Sequence, residues 1–451
     1  MYISVVPKIA SDFNLHSTIM SKYFFVLVLS LCFSLSSSGQ SVRDLDQSVP
    51  IWLEYDENNN AILRWIPDNN ASSYELNALD IESNTLSFLD NIDGDISEYD
   101  LGQIDSQKSL SFQMEKDQNG RGIITIGFNL PIVHERGRCL IAIDDILTQP
   151  LQSEIERLMN DLDMDGWQVD TMSISRSLTS IEVKELFRNW YEDDFDLSQA
   201  IFLLGHVPIP YSGNTAYDGH TNHQGAWVAD TYYGDVDGLW TDEFVDNITP
   251  SRAANDNIPG DGKFDQSRLP SPIEIEIGRV DMFDLPAFSE DEIELTRRYL
   301  DKDHDFRMGN KDFPRRAFVD NNFNLAEGFG QTGWKNFTTL FGGDSVSVEN
   351  YDVLIDNKYL CSYGAGAGSY TSAGGIGNTQ NVHANRHNQT VFTFLFGSFF
   401  GDWDIRDNFL RAALAWRCFN KCLGWKTFLA YFPNGIRSTY RLLYSINPKC
   451  T

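Results

Sequence analysis

The pattern of apolar and polar positions divides the chain into two parts with different predicted architectures. Residues 50–132 alternate polar and apolar positions in short runs separated by Asn, Asp and Gly, such as Ile-Leu-Arg-Trp at 62–65 and Ile-Ile-Thr-Ile at 123–126. Alternation with a period of two is typical of strands that bury one face. The pattern therefore predicts a small all-β sandwich over residues 48–132.

In the second part of the chain, longer apolar runs alternate with helical spacing. Residues 140–147 and 200–204 are continuous apolar strands, and an alternating strand at 167–174 lies between them. Apolar positions recur at helical spacing between these strands, for example at 151–162. Strands and helices in alternation predict an α/β domain over residues 137–415, with a mainly parallel sheet and helices on both faces.

A polar, glycine-rich insertion over residues 208–272 interrupts this alternation, and further strands follow it. Two late stretches, 359–370 and 390–404, begin as apolar strands and end in glycine-rich turns. In open α/β sheets, the carboxyl ends of parallel strands form the crevice where ligands and catalytic groups lie. We therefore expect a functional site at these two turns.

Composition adds an acidic surface to this picture. The chain has 451 residues and a formal net charge of −29, with a pI near 4.5. Its length predicts two or three domains. The negative charge argues against nucleic acid or an anionic membrane as a partner, and it suits a solvated surface or bound divalent cations.

Residues 1–40 are predicted to be an upstream extension followed by a secretory signal peptide that starts at Met20. Lys22 precedes an apolar run at 23–35, and small residues follow at 36–39. This order is typical of a signal peptide, and the run is too short to span a membrane as a helix. We expect a secreted or cell-surface protein with no membrane span after signal removal, with a retained anchor as the alternative.

Cysteines and charge change character near the end of the chain. Cys139 and Cys361 lie in predicted strands, where buried apolar filling is their expected role. The last 36 residues, 416–451, contain six Lys or Arg and no Asp or Glu. We interpret this tail as a frameshifted segment that begins after Ala415, with a genuine basic tail as the alternative, and gene sequencing across that codon would decide.

The order of parts in residues 137–415 resembles the gingipain family, cysteine peptidases with a caspase-type fold. The likeness is carried by the opening strand at 140–147 with its helix, by Ile-Gly-Arg-Val at 277–280 before a long helix, and by the final pair of strands. In that family the final strands end in a His-Gly turn and an Ala-Cys turn. The resemblance implies a caspase-type α/β fold.

Two other resemblances concern shorter runs. The segments 203–213 and 397–404 are similar to uncharacterised secreted bacterial proteins, which carry no established activity. In the first part of the chain, Trp65 followed by Tyr-Glu-Leu at 74–76 resembles a fibronectin type III domain. Domains of that type position their neighbours, and no residue there points to catalysis.

The gingipain resemblance places Ala365, or a neighbouring glycine, where the family has its histidine and Ser398 where it has its cysteine. A serine without an adjacent base is a poor nucleophile, because its hydroxyl stays protonated near neutral pH. The first hypothesis is therefore a pseudoenzyme that binds a protein or cell-surface ligand or acts in surface assembly. The alternative is an active, peptidase-like hydrolase that uses Ser398 or Asp402 with His206 or His220. His206 directly follows a buried strand at its crevice end and is the best single candidate for the general base, with a structural histidine as the alternative. A histidine nitrogen within hydrogen-bond reach of Ser398 Oγ would favour the enzyme.

Carboxylates and histidines of the insertion are candidate metal ligands. The acidic runs at 235–242 and 255–265 space carboxylates around glycine turns, as Ca²⁺ sites do. The sequence predicts bound Ca²⁺, with water-solvated acidic turns as the alternative. The histidines suit a mixed nitrogen and oxygen site, although hydrogen bonding within the loop would also explain them. The candidate ligands are Asp235, Asp237, Asp242, Asp256, Asp261, Asp265, His220 and His223.

Overall fold

A computed structural model describes residues 48–80, 85–104, 109–116, 120–127, 136–323 and 329–416. The predicted upstream extension and signal peptide over 1–40, and residues 417–451 of the predicted frameshifted tail, lie outside the described residues. No helix in the described part of the chain is long and apolar enough to cross a membrane.

Strands and helices are numbered here in chain order. The strands are β1 (Ile51–Tyr55), β2 (Asn60–Trp65), β3 (Ser73–Asp80), β4 (Thr85–Asp93), β5 (Glu98–Gln103), β6 (Ser109–Lys116), β7 (Gly120–Gly127), β8 (Gly137–Asp144), β9 (Trp167–Ile174), β10 (Ser198–Leu204), β11 (Tyr211–Thr215), β12 (Gly225–Val228), β13 (Glu276–Val280), β14 (Ala317–Asn321), β15 (Val346–Val348), β16 (Tyr359–Ala365), β17 (Gly368–Ser369), β18 (Ser372–Ala373), β19 (Gly377–Asn378) and β20 (Thr390–Phe396). The α-helices are α1 (Asp145–Thr148), α2 (Gln152–Met164), α3 (Ser180–Asp193), α4 (Thr231–Gly234), α5 (Glu292–Arg307), α6 (Phe329–Phe341) and α7 (Phe409–Ala412). Shorter helical segments are the 3₁₀ turns Thr221–His223, Ala253–Asn255, Gly343–Ser345, Tyr351–Ile355 and Ala413–Ala415 and the π-helical turn Thr379–Ala384.

The first seven strands form two antiparallel sheets, in the orders β1-β2-β5 and β4-β3-β6-β7. The alternation in β2 buries Ala61, Leu63 and Trp65 and leaves the intervening positions partly exposed. Trp65 packs against Tyr74 from the other sheet, with ring centroids 5.4 Å apart. The alternating pattern of the sequence therefore produces two sheets that share one apolar core.

Four strands form the first parallel sheet, in the order β13-β10-β8-β9. The core on one face joins Ile141 and Ile143 of β8 to α2 and α5, and the core on the other face joins Leu140 to Phe187 of α3. Both faces of β8 are covered, so its side chains are apolar without alternation.

A second parallel sheet, in the order β15-β14-β16-β20, contains the two strands that end in glycine-rich turns. Every residue of β16 is buried, and α6 covers one face of the sheet through Trp334 and Phe337. The predicted α/β class is confirmed, and its parallel strands are divided between two sheets. Cys139 and Cys361 are buried and unpaired, as the sequence predicts.

The insertion lies between β10 and β13 and contains the antiparallel pair β11 and β12. It leaves the carboxyl end of β10 and returns to the amino end of β13, which lies beside β10 in the sheet. Contacts from this insertion reach the turn that follows β20, where Arg252 is hydrogen-bonded to Asp404. The fold therefore brings the insertion to the predicted site.

Candidate active site

Strands β16 and β20 end side by side, because Ala365 pairs with Phe396 at their carboxyl ends. Ser398 follows two residues after β20, and Phe399 has a φ of 64°, a backbone conformation that few residues other than glycine adopt. The glycine-rich loop after β16 runs against this turn. A Cβ atom added at Gly368 would lie 2.5 Å from the backbone nitrogen of Ser398, so close approach requires glycine there.

A histidine from the insertion lies over Ser398. Nε2 of His220 is 2.9 Å from Oγ of Ser398. The His220 ring is exposed, and it stacks on the ring of Phe399 with centroids 4.9 Å apart and planes 10° apart. Ala365, where the sequence resemblance implies a histidine, is fully buried, and its methyl side chain cannot accept a proton. The imidazole beside Ser398 therefore comes from the insertion.

The backbone N–H of Ser398 donates to no acceptor among the described residues. The next N–H along the chain, that of Phe399, donates to Oδ2 of Asp218 at 3.2 Å. A free N–H beside a nucleophile can stabilise the negative charge that develops on a carbonyl oxygen under attack. The turn thus supplies a hydroxyl and an N–H without an acceptor among the described residues, and the insertion supplies an imidazole hydrogen-bonded to that hydroxyl.

Behind this pair, a second histidine is held between two carboxylates. His223 is 1% exposed, with Nδ1 2.7 Å from Oδ2 of Asp218 and Nε2 2.8 Å from Oδ2 of Asp402. Burial alone would lower the pKa of His223, but hydrogen bonds and charge from the two carboxylates raise it to about 9. The ring is therefore an imidazolium at neutral pH and donates from both nitrogens. The predicted metal ligand His223 uses both ring nitrogens in these bonds.

Asp402, a predicted catalytic residue, is fully buried and bonded away from Ser398. Its Oδ2 accepts from His223, and its Oδ1 accepts from Nδ2 of Asn255 at 2.8 Å. Arg252 adds a guanidinium 3.4 Å from Oδ1. Asp402 therefore joins the turn after β20 to the insertion, and this position does not suit a nucleophile or a general acid.

His206, the other candidate base, is hydrogen-bonded elsewhere. Its Nδ1 lies 2.8 Å from Oδ2 of Asp281, and its backbone N–H donates to Asp144. Burial would raise the pKa of Asp281, but the hydrogen bond from His206 and the charge of Arg411 lower it to about 2. Its partner Asp281 follows β13 directly, so the ends of two neighbouring strands hold this pair. The structure brings His220, and not His206, to Ser398.

Among the described residues, one acidic group has the spacing of a metal site: Asp235, Asp237 and Glu274. Two of these are predicted calcium ligands, and Glu274 is an addition from just before β13. Burial raises the pKa of Glu274, and the neighbouring charges of Asp237 and Asp235 raise it further, as expected for carboxylates that share a small volume.

The remaining predicted calcium ligands lie outside this group. Asp242 accepts from the N–H groups of Gly260 and Gly262, both at 2.7 Å. Asp261 accepts from Lys263 N, and Asp265 accepts from Val245 N and the Thr241 hydroxyl. Oδ1 of Asp256 is buried without a hydrogen-bond partner in the described part of the chain. Backbone donors thus occupy most of the carboxylates that the sequence assigns to calcium.

No family model matches this sequence, and no curated protein matches it either. Among solved structures, the chain is similar to the Arg-specific cysteine proteinase gingipain R, with a TM-score of 0.40 and 13% identity over 62% of this chain and 59% of that chain. A complex of the pro- and mature domains of RgpB from Porphyromonas gingivalis has a TM-score of 0.40 and 12% identity, over 62% of this chain and 60% of that chain. The FN3tt mut structure has a TM-score of 0.14 and 20% identity, over 17% of this chain and 83% of that chain. None of these likenesses assigns a role to a residue.

Proposed function

We propose that this protein is a hydrolase that cleaves an acyl bond of a peptide or ester, with Ser398 as nucleophile and His220 as general base. The observation that carries the proposal is the 2.9 Å separation of His220 Nε2 and Ser398 Oγ. This distance lies within the range in which a base can take a hydroxyl proton. It supports the hydrolase over the pseudoenzyme hypothesis, which assumes that no base lies near Ser398.

The proposed reaction has two stages that share the same proton acceptor. Ser398 Oγ attacks the carbonyl carbon while its proton passes to Nε2 of His220, and the carbonyl oxygen becomes an oxyanion. The backbone N–H of Ser398, which has no acceptor among the described residues, would stabilise this oxyanion. His220 then protonates the leaving amine or alcohol, and an acyl-serine remains. A water molecule, deprotonated by His220, attacks this ester, and the acid product leaves with Ser398 restored.

The imidazole of His220 would act without a carboxylate partner. No side chain in the described ranges is hydrogen-bonded to Nδ1 of His220, whose ring instead stacks on Phe399. In this arrangement ring stacking and the loop, rather than a third residue, orient the base. We therefore expect a dyad, with a slower reaction than a complete triad gives.

Reaction with an alkyl fluorophosphonate tests the proposal, since this reagent phosphonylates activated serines. We expect labelling of Ser398, located by peptide mass spectrometry, and hydrolysis of simple esters that Ser398→Ala abolishes. His220→Ala should slow labelling by about 10²- to 10⁴-fold, the usual contribution of a general base. Ser177→Ala, at an exposed serine outside the site, is the matched control. Labelling that does not depend on His220 would contradict the proposal.

A second candidate is a binding or surface-assembly role for the same crevice, with a protein or cell-surface ligand. The observation that favours it is that no carboxylate among the described residues is hydrogen-bonded to the imidazole of His220. An unreactive Ser398 in the folded protein would favour this role. In either case we propose a secreted or cell-surface location, on the basis of the apolar run at 23–35.

A further inference from the structure

Three side chains lie directly behind the proposed catalytic pair: the buried His223 and Asp402 and the partly buried Asp218. We call them the carboxylate–histidine clamp. We propose that this clamp is a positioning element, which holds the insertion against the turn after β20 so that His220 lies over Ser398. The inference rests on the proposed hydrolase function, because it assigns to the clamp the task of positioning that dyad.

The clamp joins the two chain segments that carry the reacting groups. Asp218 lies two residues before His220, and Asp402 lies four residues after Ser398. His223 connects them through bonds of 2.7 and 2.8 Å, although it is 179 residues from Asp402 in the chain. A contact between segments so far apart in sequence must be held by packing, since the backbone imposes no distance between them.

Asp218 also bonds to both segments directly. Its Oδ1 accepts from the backbone N–H of His220 at 3.3 Å, and its Oδ2 accepts from the backbone N–H of Phe399 at 3.2 Å. One carboxylate therefore contacts the residue that acts as base and the residue next to the nucleophile. A shift of Asp218 would move His220 relative to Ser398.

Aromatic stacking extends the clamp to the base itself. The ring of Phe399 lies 4.7 Å from the His223 ring and 4.9 Å from the His220 ring, measured between centroids. Trp227 stacks on His223 with centroids 4.2 Å apart. His223 thus fixes Phe399, and Phe399 supports the exposed imidazole of His220. Loss of the central cation would leave two carboxylates, with Asp402 fully buried, facing each other without their partner.

His223→Gln, with His304→Gln as control, tests the positioning role. Nδ1 of His304 is also bonded to a carboxylate, that of Asp161 at 2.9 Å, but it lies on α5, outside the site. The measurement is the rate constant for phosphonylation of Ser398 by an alkyl fluorophosphonate, together with the melting temperature. We expect His223→Gln to slow labelling by about 10²-fold, as a displacement near 1 Å does, and His304→Gln to leave the rate within about twofold.

The rate constant separates positioning from folding. A purely structural role would reduce the labelled fraction and the melting temperature, while the folded molecules would still react at the wild-type rate, and this result would overturn the proposal. If His223→Gln does not fold, Asp218→Asn makes the same test at a side chain that is 10% exposed, and we expect at least about 10-fold slower labelling.

An unlabelled wild-type protein would contradict the hydrolase function and still leave the clamp testable. The ring protons of His220 lie over Phe399, so their NMR signals are displaced by its ring current in the intact site. In His223→Gln these signals should move toward the positions of a free histidine if the clamp holds the loop. Unchanged signals in a folded variant would overturn the positioning role, whatever the activity.

Discussion

Nε2 of His220 lies 2.9 Å from Oγ of Ser398, although 178 residues separate the two in the chain. Ser398 belongs to the turn that follows β20, and His220 belongs to the insertion that follows β10. The strand end at Ala365, where the gingipain resemblance implies a histidine, has none. A proton acceptor at the site thus comes from a different segment, and its position depends on how the insertion packs.

A thiol in place of Ser398 would report on the charge and proton acceptor at the site. We expect Ser398→Cys to react with iodoacetamide faster than the double variant with His220→Ala, by at least about 10-fold, because an adjacent imidazole favours the reactive thiolate. Peptide mass spectrometry would assign the alkylated residue. Cys139 and Cys361 serve as internal controls, since burial raises the pKa of both thiols and should keep them unmodified in the folded protein. Equal rates in the single and double variants would contradict the pairing.

The free energy of unfolding should fall at alkaline pH, because the imidazolium of His223 then loses the proton that it donates to the two carboxylates of the clamp. The pKa of His223 is raised from about 6.5 to about 9 by Asp218 and Asp402, against the opposing effect of burial. Its contribution is therefore complete below pH 6.5 and is lost as the pH rises through 9. The linked change in the free energy of unfolding is on the order of 3 kcal/mol.

Chemical denaturation of the wild type and of His223→Gln at several pH values between 6 and 10 would measure this effect. The difference between the two proteins should be largest near pH 6 and should shrink toward pH 10, where the wild-type ring is neutral. His304→Gln corrects for the general loss of a histidine bonded to a carboxylate. Parallel stability curves for wild type and His223→Gln across this range would show that the ring is not held as a cation.

The strands were predictable from sequence, because the pattern of apolar positions within each run of residues shows whether one or both faces of the strand are buried. Continuous apolar residues in β8 and β10 follow from helices on both faces of the sheet, and the alternation in β2 follows from a single buried face. The position of Ser398 in a functional turn was also predictable from sequence, because a glycine-rich turn after an apolar strand marks the crevice end of a parallel sheet.

The hydrogen-bond partners of the site residues were harder to predict from sequence. Sequence reasoning favours His206 over His220 as the base, because His206 directly follows a buried strand at its crevice end. Nothing local states which loop folds back over Ser398. The sequence also predicts His223 as a metal ligand. A histidine near carboxylates has the same sequence pattern whether it is neutral and binds a metal ion or is protonated and bonded to the carboxylates itself. Glu274 escapes sequence reasoning for a related reason: it lies outside the acidic runs and comes beside Asp235 only in the fold, where its backbone N–H donates to the carbonyl of Gly234.

Gly368 should not tolerate a side chain, because it approaches the backbone of Ser398. In Gly368→Ala the added methyl group would meet the nitrogen of Ser398 at 2.5 Å, so one of the two segments must move. We expect a loss of about 1–3 kcal/mol in the free energy of unfolding, as for other overpacked positions, and slower phosphonylation of Ser398. Gly278→Ala is the matched control, since its added atom would meet only Phe202 at 3.9 Å. Equal behaviour of the two variants would mean that the turn adjusts freely.

We expect calcium to bind at the acidic group of Asp235, Asp237 and Glu274. Asp235 is fully buried at 0% exposure, and Asp237 is exposed, so a cation could enter from the solvent side and relieve the repulsion among the three carboxylates. A ligand at about 100 times its Kd stabilises the folded state by about 2.7 kcal/mol. Millimolar CaCl₂ should therefore raise the melting temperature of the wild type, and a chelator should reverse the rise.

Asp237→Asn would identify this group as the site of the effect. The variant keeps the size of the side chain and removes one charge, so we expect the calcium-dependent rise in melting temperature to disappear. Without calcium its melting temperature should equal or exceed that of the wild type, because one source of repulsion on Glu274 is gone. Asp196→Asn, at an exposed aspartate outside the group, should respond to calcium as the wild type does. A wild-type melting temperature that neither calcium nor chelator changes would show that these carboxylates fold without the ion, their buried member held by the hydrogen bonds that Asp235 accepts from Gly238 and Trp240.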